Sequence, residues 1–218
     1  MILFSQEIYK LINTALTELN GREATGRIQH NALSEAHYLG AWVTTAIKQK
    51  RFDAILLPTL KIWQRQARSL GKNSGLKEQF TYLKTCYEKI LSADGDIQPV
   101  NVEQFTKLYS SLNDVDWLVT TDLAVGDKLN RLSGGKDSLI VCAQQINDNF
   151  DEQGVLIEPI SLYVRGNVQI ITDLAFENNL LLHKITDYKS KVKYHGEYII
   201  YPHNDGTALP EFPTEKAE

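Results

Sequence analysis

The sequence predicts an α+β protein: a helical N-terminal half of about four helices, followed by a small mixed α+β half with antiparallel hairpins. Apolar residues recur at helical spacing through the first ninety positions. After Pro99 they give way to short runs rich in β-branched and aromatic residues. The turn Asp94-Gly95-Asp96 followed by Pro99 marks the join. Residues 1–93 are therefore expected to form a helical, bundle-like region, 94–204 a small α+β region, and 205–218 a flexible tail.

Ser5 can cap a first helix whose apolar positions Ile8, Leu11, Ile12, Ala15, Leu16 and Leu19 share a face, with Asn20-Gly21 as its stop. Asn31 or Ser34 opens a second, running to about Lys50, with Leu39, Trp42, Val43, Ala46 and Ile47 inward. Pro58 suits the first turn of a third helix that Gly71 ends. Ser74 is expected to cap a fourth, with Leu76, Phe80, Leu83, Tyr87, Ile90 and Leu91 as its stripe. In the second half, Asn101 with Gln104 three residues on forms a capping-box pattern for a helix to about Leu112. Extended runs follow at 117–121, 138–143 and 155–164, and Asn167 can cap one more helix. Segments 180–188 and 192–201 read as the arms of a closing hairpin.

The chain has 218 residues, 43% hydrophobic and 23% charged, which is ordinary globular composition. Its longest apolar run, Leu139 to Ala143, is far short of a membrane span, and the N-terminal residues lack the pattern of a secretion signal. Cys86 and Cys142 stand in apolar segments with no CxxC spacing. A soluble cytoplasmic protein with no membrane partner is expected.

Ser133-Gly134-Gly135-Lys136-Asp137-Ser138 resembles the phosphate loop of the PP-loop ATP pyrophosphatases, in which glycines let backbone amides wrap a pyrophosphate ahead of a helix. That resemblance implies an ATP-binding enzyme using residues 133–138. Its context is poor: the preceding residues 127–132 are too polar for a buried parallel strand, and only eighty residues follow. The simpler expectation is a hairpin in which 128–132 pairs with 138–143 across Gly134-Gly135.

No catalytic set emerges. The histidines 30, 37, 183, 195 and 203 form no metal-binding spacing, so neither a metal nor any other cofactor is called for. His195 with Glu197 has the spacing of an acid/base pair on one strand face, and Asp187-Tyr188-Lys189 resembles a fragment of a nuclease site without its partner acid.

Charge is more informative. The net charge of −4 conceals ten basic against three acidic groups over 41–91, and five against fourteen over 92–183. Lys61, Arg65, Arg68 and Lys72 follow four-, three- and four-residue steps, one face of a helix. Lys189, Lys191 and Lys193 alternate, and in an extended segment would line one face. A basic helix stripe and a basic ribbon grip phosphates. The same residues also suit plain solvation, or docking against the acidic half or a second copy.

Four segments together resemble one protein family: 183–189 and 192–198, Asp137-Ser138 ahead of Cys142-Ala143, and Lys48-Gln49-Lys50-Arg51-Phe52. It is a gammaproteobacterial family of unknown function whose members have about this length. The resemblance implies a bacterial cytosolic protein of accessory or mobile-element type, and it supplies no catalytic residues.

The reading that follows is a non-enzymatic binding protein contacting nucleic acid without strong sequence preference, through Lys61, Arg65, Arg68 and Lys72 and through Lys189, Lys191 and Lys193. A protein-interaction or self-assembling scaffold module is the alternative, and an ATP-using enzyme built on 133–138 the third.

Overall fold

In the computed structural model, which describes residues 3–92, 96–126, 128–130 and 133–214, the chain divides between Ile97 and Gln98 into two units. The turn at 94–95 lies outside the described residues.

The first unit is built from α1 (Phe4–Ala24), α2 (Ala32–Gln49), α3 (Leu57–Leu70) and α4 (Leu76–Ile90). The expected stripes are the buried ones: Ile8, Leu11, Ile12, Ala15 and Leu19 on α1, and Leu76, Phe80, Leu83, Tyr87 and Ile90 on α4. Asn31 caps α2 by accepting the Ser34 N–H at 2.9 Å. Helix α1 runs past the expected stop at Gly21, because Arg22, Glu23 and Ala24 are good helix formers and the true terminator lies further on. Gly26, at φ +68°, takes the left-handed position after the helix, while Gly26 N–H donates to the Glu23 carbonyl and Arg27 N–H to that of Arg22. Ser74 is not the cap of α4; the left-handed Gly75 occupies that position.

The second unit opens with α5 (Val102–Asp114), where the capping box between Asn101 and Gln104 is fully formed. Strands β1 (Leu118–Leu123), β2 (Ser138–Cys142), β3 (Ile160–Arg165), β4 (His183–Thr186) and β5 (Gly196–Ile200) make one sheet in the order β1-β2-β3-β5-β4. Two helices complete the unit, the short α6 (Ala143–Asp148) and α7 (Val168–Glu177), the latter capped by Asn167. The protein is thus α+β, with helices mostly N-terminal and a mixed sheet in the C-terminal half. Strands β4 and β5 pair antiparallel, as the closing hairpin requires.

The expected hairpin around Gly134-Gly135 does not form. Strand β2 pairs parallel with β1 and antiparallel with β3, and all five of its residues are buried. A strand buried on both faces needs apolar neighbours on both sides, which the polar segment 128–132 cannot supply. Leu129 instead makes an isolated bridge to Val192; Arg131 and Leu132 lie outside the described residues.

One sheet face carries the main core of the unit, with Leu139, Val141, Leu162, Val164 and Ile200 packed against Phe105, Leu108 and Ile171 from α5 and α7. The opposite face has a small cluster of Ile140, Tyr163 and Val192, against which Val125 and Leu129 pack. Within the segment expected to be a tail, the Glu211 N–H donates to the Leu182 carbonyl at 2.7 Å, and Phe212 meets Phe176 edge-on. Among the described residues no helix is long and apolar enough to cross a membrane.

Candidate nucleic-acid interface

Helix α3 has a polarity its sequence imposes. Thr59, Leu60 and Trp63 are buried, with Trp63 tilted against Phe80 at 4.6 Å between ring centroids. Gln64 donates to the Thr44 hydroxyl at 3.2 Å and Gln66 to the Ser74 carbonyl at 2.7 Å, which pins the helix on both flanks. Gly40 of α2 lets the two helices close up, since a Cβ there would stand 3.0 Å from the Ala67 Cβ. With that face fixed, Lys61, Arg65 and Arg68 must point to solvent, and all three are exposed.

Lys72 lies beyond the helix. Gly71 ends α3, and Lys72 sits in the single 3-10 turn Gly71–Asn73. It still joins Arg68, because both border a groove of about 610 Å³ between α2 and α3, together with His37. None of these four cations forms an ion pair among the described residues. Other basic groups of this unit are engaged: Arg51 binds Glu18, and Lys77 lies 2.8 Å from Glu35. The Arg51 hydrogen bond holds the Glu18 carboxyl below its ordinary pKa, and the Trp42 indole N–H adds a second donor at 2.7 Å.

In the second unit the expected basic ribbon is a loop. Residues 187–195 connect β4 to β5, and Lys189, Lys191 and Lys193 do not line a strand face. Only the middle of the loop is extended: the Leu129 N–H donates to the Lys191 carbonyl, the Lys193 N–H donates to the Leu129 carbonyl, and Val192 is buried between them. The three lysines are exposed and none meets a carboxylate among the described residues. The Lys193 ammonium stands 4.8 Å from the Tyr194 ring centroid, and the Arg165 guanidinium, from the end of β3, stands 5.9 Å from the same ring. Tyr194 is 60% exposed and Tyr188, six residues earlier, 81%. Sequence reasoning missed Arg165, which lies far from the loop in sequence, and gave no role to the two tyrosines, whose interleaving with the lysines was the available signal.

The 133–138 segment is otherwise occupied. A strand follows it, where the pyrophosphatase loop opens a helix. Lys136 pairs with Asp116, and Asp137 accepts the Asn167 N–H at 3.0 Å. The Ser138 hydroxyl lies 3.0 Å from His195 Nε2, both residues being buried. His195 Nδ1 is 2.8 Å from the Lys193 carbonyl, so a proton on Nδ1 leaves Nε2 to accept from the serine. Burial pushes the His195 imidazole below its ordinary pKa, in the direction that favours the neutral ring. His195 is therefore a cross-link between β2 and the β4–β5 loop and forms no pair with Glu197. Asp187, the acid of the nuclease-like fragment, pairs with Lys184.

Fold and surface define a two-unit α+β protein that presents, on α3 with the turn after it and on the β4–β5 loop, cations without an ion-pair partner among the described residues. Over residues 3–213 the chain matches the family model for Protein of unknown function (DUF2913), and it belongs to that family. No curated protein matches the chain, and no solved structure does.

Proposed function

We propose that this protein binds nucleic acid through the phosphate backbone, without strong sequence preference and without catalysing a reaction on it. One observation carries the reading. Lys61, Arg65, Arg68, Lys72, Lys189, Lys191 and Lys193 are all exposed and without a carboxylate partner among the described residues, while Arg51, Lys77, Lys136 and Lys184 are neutralised in ion pairs. Unpaired surface cations are the groups whose counterions a polyanion releases. At about 100° per residue, Lys61, Arg65 and Arg68 span roughly 60° of the helix circumference, a stripe narrow enough to follow one strand of phosphates. On the loop, the exposed rings of Tyr188 and Tyr194 among cations supply stacking surface for unpaired bases.

The test is fluorescence anisotropy with labelled single- and double-stranded DNA and RNA oligonucleotides of unrelated sequence. Binding at low salt should vary only a few-fold with sequence. It should weaken at least tenfold in Lys61→Glu/Arg65→Glu/Arg68→Glu and in Lys191→Glu/Lys193→Glu. Tyr188→Ala/Tyr194→Ala should weaken single-strand binding more than duplex binding. Absence of binding at low salt would sink the proposal.

A further inference from the structure

Helix α1 ends, and helix α2 begins, on side chains that converge. Glu23 lies in the last turn of α1, His30 in the connection and Glu35 in the first turn of α2. One ligand atom from each lies within 4.8 Å of the others. His30 Nδ1 is 3.2 Å from Glu23 Oε1 and 3.2 Å from Glu35 Oε1. Zinc held by nitrogen and oxygen at about 2.1 Å in a tetrahedron places neighbouring ligand atoms roughly 3.4 Å apart. The imidazole nitrogen thus already stands at that spacing from both carboxylates, and the two carboxylate oxygens lie within 4.8 Å of each other.

The surroundings add a separate observation. The Glu23 and Glu35 side chains are only 11% and 8% exposed, whereas His30 is 77% exposed. Glu23 Oε1 is sealed from water and receives no hydrogen bond among the described residues. A buried acceptor without a donor is costly, and a cation on that atom removes the cost. Lys77 Nζ, 2.8 Å from Glu35 Oε1, is 3.9 Å from Glu23 Oε1 and does not satisfy it.

We infer that Glu23, His30 and Glu35 form a binding site for a divalent transition metal of the zinc class, opening to solvent on the His30 side. A neutral imidazole and two carboxylates are the donor set such ions take, and they leave a fourth position for water. The buried carboxylates are the fixed half of the site, and His30 is the exposed ligand that closes it. Bound metal clamps the α1–α2 connection, residues 25–31, onto both helices. Sequence spacing conceals the set, because its members are seven and five residues apart and none belongs to a repeated His or Cys pattern.

The experiment uses the full chain, stripped with chelator and titrated with zinc by calorimetry at neutral pH, and with cobalt(II) followed by visible absorption. The expected result is one zinc per chain, a tetrahedral cobalt spectrum, and a melting temperature raised by zinc and restored by chelator. His30→Ala is the deciding variant, since its exposed ring can be removed without opening the core; it should weaken zinc binding at least tenfold. Glu35→Gln should abolish binding, and circular dichroism separates that loss from unfolding. Lys77→Met gives a second readout, because zinc should raise its melting temperature by at least as much as that of the wild type. No saturable zinc binding, or binding that His30→Ala leaves unchanged, overturns the inference.

Discussion

Acidification should destabilise the second unit through His183, by an amount the structure allows one to work out. His183 starts β4, is buried, and stands edge-on to Tyr201 at 5.1 Å between ring centroids. A Cβ on Gly206 would come within 2.6 Å of its ring, so the backbone seals it from that side. Burial pushes the imidazole from an ordinary 6.5 down to about 4. The unfolded chain therefore takes up a proton near pH 6.5 that the folded chain refuses until about pH 4, and stability falls as pH falls through that window. Linkage gives a loss of about 2 kcal/mol between pH 7.5 and 5.0, approaching roughly 3 kcal/mol below pH 4. His195, also depressed by burial, acts in the same direction. The contribution of His183 is isolated by comparing wild type with His183→Gln in urea titrations at the two pH values, with Trp117 as the second unit's own fluorophore. The wild type should lose about 2 kcal/mol more than the variant on acidification. Equal losses, or an NMR titration of His183 with a midpoint near 6.5, would refute the reasoning.

Other perturbations have outcomes set by local geometry. Gly166→Ala should destabilise the second unit by about 3 kcal/mol or more, because φ is +131° and the new Cβ would meet Asp137 Cγ at 2.2 Å; denaturant titration checks it. Gly40→Val should cost about 2 kcal/mol by forcing α2 from Ala67, read as a lower denaturation midpoint of the first unit. Ser138→Ala should cost about 1–2 kcal/mol by leaving buried His195 Nε2 without its donor, and should bring that histidine's resonances into exchange. Glu18→Ala strips Trp42 and Arg51 of their common acceptor. Since both charged groups are partly exposed, the loss in urea should be only about 1 kcal/mol.

Much of what local interactions decide could be read in the sequence, the caps expected of Ser5 and Ser74 and the stop at Gly21 apart. Asn31, Asn101 and Asn167 each place an amide oxygen where the first helical N–H groups need an acceptor, and each caps the helix expected of it. The apolar stripes of α1 and α4 likewise announce their buried faces. Strand pairing is a different matter, because it joins residues far apart. Gly134-Gly135 has the conformation of a turn, with φ of +61° and +88°, yet nothing local says that β2 finds its partners in β1 and β3. The candidate surfaces divide the same way. Lys61, Arg65 and Arg68 were legible because helical period puts them together. Lys72 was misplaced by the glycine that ends the helix, and the lysines of 189–193 by reading a loop as a strand. Arg165 reaches Tyr194 only through the sheet, and Glu23, His30 and Glu35 meet only because two helices turn back on each other.

The most direct test of phosphate gripping is the slope of log affinity against log salt for duplex DNA, measured for wild type and for Lys61→Glu/Arg65→Glu/Arg68→Glu. The expected result is a steep negative slope for the wild type, made shallower in the variant by about three, close to 0.9 for each phosphate the helix no longer neutralises. A wild-type slope near zero, or one the variant leaves unaltered, would contradict the claim that α3 holds the backbone.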